Sequence, residues 1–69
     1  MDVEHALKLL REVQQLEKEA VERYTDHILK INNPEINSML EGFKRSESRH
    51  YAELTEKIEE LKEKYDIED

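Results

Sequence analysis

The chain has 69 residues, of which 42% are charged, with a net charge of −7 from 11 basic and 18 acidic side chains, and it has no cysteine. The acidic balance excludes a nucleic-acid binder, which needs basic groups against phosphate, and the lack of Cys excludes disulfides and thiolate metal sites. No apolar run exceeds two residues, as in Leu9-Leu10, so neither a membrane span nor a signal peptide is expected and the expected location is cytoplasmic. So short a chain buries a small share of its surface, which leaves a metal held by oxygen and nitrogen, a partner chain, or both to stabilise it.

The first element is a helix over about residues 3–31. Val3, Ala6, Leu10, Val13, Glu17, Ala20, Tyr24, His27 and Ile31 recur at alternating spacings of three and four, the period of one helix face. Leu7, Val21 and Ile28 widen that face on one side, and Leu9 and Leu16 on the other. An apolar arc this wide exceeds what one neighbouring helix covers and suits a bundle. The turn falls at Asn32-Asn33, where Asn33 is a good N-cap, Pro34 fits the first helical position and Glu35 favours the positive end of the helix dipole.

The second helix runs over about residues 34–65, with a seam of Ile36, Leu40, Phe43, Glu47, His50, Leu54, Ile58, Leu61 and Tyr65. A connection this short makes the two helices antiparallel. The fold class expected is all-α: one helical hairpin domain over residues 1–69 that pairs with a second copy into a four-helix bundle, burying both faces about a two-fold axis. The acidic tail from Asp66 to Asp69 is expected to fray.

Most charged residues, such as Glu12, Lys18, Glu22, Lys44 and Glu59, lie off the seams and form a solvated surface. Glu17, Glu47 and His50 instead occupy positions where the pattern calls for Leu or Val. Burying an ionised carboxylate without a partner costs several kcal/mol (roughly) even after relaxation, so something must compensate. In an antiparallel pair, residues at one level have a constant sum of residue numbers, here about 65 from the position of the turn. Glu17 then faces residue 48, between Glu47 and His50, and the three polar seam residues converge. Two-fold pairing doubles the set to four carboxylates and two imidazoles, a charge that matches two divalent cations. Residues three apart share a helix face, so Glu47 and His50 can serve one ion. The spacing alone is common in a chain with 14 Glu; the seam position and the matched level carry the weight. A polar layer that fixes register, like a buried Asn in a coiled coil, is the other reading of the same residues. His27 is expected to pack near the turn and His5 to lie off the seam, neither as a ligand. Gly42, level with Arg23 and Tyr24, is expected to make room for the Tyr24 ring.

The stretch from Leu16 to Tyr24, with Glu17 seven residues before Tyr24, resembles the first helix of rubrerythrin-like proteins of the ferritin superfamily. Asn33-Pro34-Glu35-Ile36 resembles their turn, and Glu47-Ser48-Arg49-His50 matches their Glu-x-x-His. The resemblance covers nearly the whole chain and is closest to half-length members, the encapsulated ferritins. It implies a ferritin-like four-helix bundle in which one chain supplies half of a di-iron ligand set. It further implies a ferroxidase-type site between two chains, oxidising Fe(II) with dioxygen or peroxide. Glu17 would be a terminal ligand, Glu47 the bridging ligand, His50 a nitrogen ligand and Tyr24 a hydrogen-bonder behind Glu17. The cofactor implied is Fe, and Mn or Zn suits the same donors. The partners implied are a homodimer or higher homo-oligomer and an encapsulin-type shell, although the family's extra helix and targeting tail have no counterpart in these 69 residues. Without Cys the rubredoxin iron site of rubrerythrins cannot form, so a self-contained peroxidase is not expected. The alternative function is a metal-binding module without turnover, or a structural hairpin that only dimerises.

Overall fold

Each helix begins where a side chain can satisfy its free N–H groups. A computed structural model describes residues 2–68. In it α1 spans Val3–Lys30 and α2 spans Pro34–Lys64. The Asp2 carboxylate accepts the His5 backbone N–H at 2.7 Å, and the Asn33 side chain accepts that of Ile36 at 3.0 Å. Pro34, in the first turn of α2, has no N–H to leave unsatisfied. Glu4 and Glu35 sit at the positive ends of the helix dipoles, and Lys30, Lys62 and Lys64 at the negative ends. Both helices stop one residue before the ends expected from the sequence pattern.

The C-terminal segment closes α2 with a hydrogen-bonded cap. Asp66 takes a left-handed conformation, φ 52°. The Ile67 N–H then reaches back to the Lys62 carbonyl at 2.9 Å and the Asp66 N–H to that of Glu63 at 3.4 Å, the paired bonds of a Schellman cap. Ile67 is half-buried and, with Glu68, lines a shallow cleft against Glu4, Leu7 and Arg11. Residues 66–68, expected to fray, take this capped conformation, with an Asp in place of the usual Gly; Asp69 lies outside the described residues.

Two helices of this length bury little by themselves. Among the described residues only Leu7, 1% exposed, and Ile58, 5% exposed, are fully buried, each worth about 1.5–3 kcal/mol of transfer free energy. The most covered series on α1 is Val3, Leu7, Leu10, Gln14, Glu17, Val21, Tyr24 and Ile28, continued by Ile31 at the C-cap. This corrects the seam read from the sequence, in which Val13 and His27 faced the partner helix: both are exposed. That seam ran along the middle of a wide apolar arc, and α2 covers one edge of the arc rather than its middle.

The other edge is left open. Leu9, Val13 and Leu16 on α1, and Ile36, Met39 and Phe43 on α2, are all exposed, Leu16 to 61%. At 3.6 residues per turn the α1 stripe lies roughly a quarter turn from the facing seam, whereas Ile36 and Phe43 stand on the α2 seam itself, near its N-terminal end, with Met39 beside them. Glu17 and His50 stand where seam and stripe meet, and their side chains approach each other, so both stripes border the same side of the hairpin. The opposite side carries Arg11, Lys18, Glu22, Ser48, Thr55 and Glu59, together with Leu29, which is 80% exposed. The molecule measures 48 × 18 × 14 Å, one helix layer thick. Among the described residues no helix is long and apolar enough to cross a membrane.

Candidate metal centre

Near the middle of the hairpin, Glu17 projects from α1, and Glu47 and His50 from successive turns of α2. Each offers a ligand atom such that all three lie within 4.8 Å of one another, the one such group of His, Cys, Asp or Glu found among the described residues. His50 Nδ1 stands 3.6 Å from Glu17 Oε2, with the side chains 43% and 20% exposed. The pair sums to 67 rather than the expected 65 or so, and Tyr24 and Phe43, whose ring centroids are 6.1 Å apart, give the same sum. Helical side chains lean toward their own N-terminus. In an antiparallel pair both partners therefore lean toward each other's level, which adds about one residue from each side.

The electrostatics follow from two carboxylates sharing a small space. Glu47 is raised above the ordinary carboxylate range, first by a hydrogen bond shared with Glu17, then by partial burial and by the Glu17 charge, while His50 acts in the opposite direction. A hydrogen bond between two carboxyl groups requires one proton between them. Without that proton, Glu17 Oε2 is buried with no hydrogen-bond partner, a state that costs free energy.

A divalent cation fits this donor set. It would satisfy the orphaned oxygen and balance the two negative charges of the ionised pair. Donors that share an ion stand at most about 4.4 Å apart, twice a metal–oxygen bond, so small side-chain rotations close the cluster. Two oxygens and one imidazole nitrogen suit Fe, Mn or Zn.

Tyr24 is half-buried and its ring packs on Phe43 at a tilt of 54°; no hydrogen bond between its hydroxyl and Glu17 occurs among the described residues. Gly42 does not accommodate that ring: a Cβ there would meet nothing within 4 Å. Its level matches Tyr24, but one residue from Phe43 turns it about 100° around the helix. His5 and His27 are exposed and away from the cluster.

One pair near the site escapes a reading by polarity and level. Gln14 Nε2 donates to Thr55 Oγ1 at 2.6 Å, and that hydroxyl donates to the Tyr51 carbonyl at 2.9 Å. Gln14 lies one turn before Glu17 in the covered series, and a polar residue there was the signal available in the sequence. Comparison with protein-family models, with curated proteins and with solved structures finds no match for the chain.

Proposed function

We propose that two copies of this chain pair through their apolar faces into a ferritin-like four-helix bundle, and that the bundle is a di-iron carboxylate protein of the ferroxidase type. The observation that carries the reading is the meeting of Glu17, Glu47 and His50 around a buried carboxylate oxygen that lacks a partner. Fe(II) is the substrate: each ion gives up one electron, and dioxygen or peroxide accepts the electrons. Bound iron supplies the redox chemistry, and the chain's own residues bind and orient it.

In this reading Glu17 and Glu47 bring two oxygen donors and a charge of −2 per chain, and His50 brings the nitrogen. By the resemblance Glu47 would be shared by the two ions, and Tyr24 would stand behind Glu17. The open apolar stripes on either side of the cluster favour a second copy as the cover. That copy would exclude water from the donors and add its own Glu17, Glu47 and His50. A larger homo-oligomer and an encapsulin-type shell remain partners implied by the resemblance alone.

Oxygen uptake on adding Fe(II) tests the activity. The parent protein should consume oxygen faster than buffer, and Glu47→Ala should fall to the buffer rate while keeping its helical circular dichroism. Metal binding without oxygen uptake would instead make the protein a metal-binding module. Neither binding nor uptake would leave a structural hairpin.

A further inference from the structure

The donors of the candidate centre come from two different helices, so their spacing depends on how α1 and α2 are held along and around each other. Little apolar packing fixes this, since only Leu7 and Ile58 are fully buried among the described residues. Two side-chain hydrogen bonds between the helices can be compared among the described residues. Asn37 Nδ2 donates to the Ile28 carbonyl at 3.4 Å, but Ile28 is 11 residues from Glu17, about 16 Å along the axis. The Gln14–Thr55 bond is shorter, 2.6 Å, and much nearer: Gln14 lies about 4.5 Å along the axis from Glu17, and Thr55 about 7.5 Å from His50.

Its geometry is that of a strut. The Thr55 hydroxyl spends its one proton on the Tyr51 carbonyl at 2.9 Å, which fixes the rotor and leaves the oxygen lone pairs as acceptors. The Gln14 amide then donates into them from the facing helix. The Tyr51 carbonyl belongs to the residue next to His50, so the chain of bonds runs from the turn that precedes Glu17 to the backbone that carries His50. Ligand sets tolerate misplacement of only about half an ångström.

We infer that Gln14 and Thr55 are positioning residues for the metal centre, holding Glu17 at the correct spacing from Glu47 and His50. They touch no ion themselves; they act through the two helices. The inference rests on the metal-binding reading of Glu17, Glu47 and His50.

Co(II), whose visible absorption reports the geometry of its ligands, is the probe, titrated into the parent, Thr55→Val, Thr55→Ser and Gln14→Met. Val keeps the β-branched shape of Thr without the hydroxyl, and Ser keeps the hydroxyl. The expected result is binding by the parent, a roughly three- to tenfold weaker affinity with shifted absorption bands in Thr55→Val, in line with the loss of one hydrogen bond, the same shift in Gln14→Met, and recovery in Thr55→Ser. If Thr55→Val melts at a lower temperature but binds Co(II) with the parent's affinity and spectrum, the bond is merely structural and the inference is overturned. If the parent binds no Co(II), the metal reading itself falls and takes this inference with it.

Discussion

Glu47 is the residue of the candidate metal site whose carboxyl is held above the ordinary range. Its carboxyl is raised by the hydrogen bond shared with Glu17, by partial burial and by the Glu17 charge. In the metal-free protein, the unfolded chain gives up this proton at the ordinary carboxylate pH, whereas the folded chain keeps it to higher pH. The stability that the proton confers is therefore complete below the ordinary value and is lost as pH rises through the raised one. Thermal melts of the metal-free protein should show this decline between the two values. Glu47→Gln, which keeps a hydrogen-bonding group without the charge, should remove the decline. A parent and variant with parallel pH profiles would show that Glu17 and Glu47 do not share a proton. Because the side chain is part-exposed, solvent keeps the effect small. Metal works against the same proton: affinity should fall as pH drops through the raised Glu47 value.

The two helices show which features are written locally and which are not. Asn33-Pro34-Glu35 marks the start of α2 through one side-chain acceptor and one missing donor, so the turn was legible residue by residue. The convergence of Glu17 with Glu47 and His50 was legible from level alone, because an antiparallel hairpin with a fixed turn has one register. The edge of the α1 arc that α2 would cover was not legible, since Leu7 and Leu9 flank the arc on opposite sides with equal hydrophobicity. The Gln14–Thr55 bond was not legible either, because its partners lean toward each other from different levels. The C-terminal cap was hidden by Asp66, which stands where a Gly is usual. A Cβ-bearing residue in the left-handed region costs about 1 kcal/mol, so Asp66→Gly should stabilise the protein by up to about that amount in thermal denaturation. A destabilised Asp66→Gly would mean that the Asp66 side chain contributes more than its backbone strain costs.

At the scale of the whole molecule, a hairpin one helix thick leaves apolar stripes open on the side where the candidate metal site lies. Leu16 separates a lone hairpin from a pair. At 61% exposure in the single chain, its replacement by Glu should change the stability of a monomer by no more than about 0.5 kcal/mol. In the paired protein the same change puts a charge into the interface, and light scattering should report the mass of one chain instead of two. An unmodified protein that scatters as a stable helical monomer would remove the bundle. Site and interface are one proposition here, because each chain carries three donors and the apolar stripes that flank them. Calorimetric titration of Fe(II), without oxygen, into the parent and Glu47→Ala proteins tests it most directly. The account predicts one ion per chain in the parent, bound with release of protons, and loss of that paired binding in Glu47→Ala with the helices intact. Equal stoichiometry and equal affinity in the two proteins would contradict it.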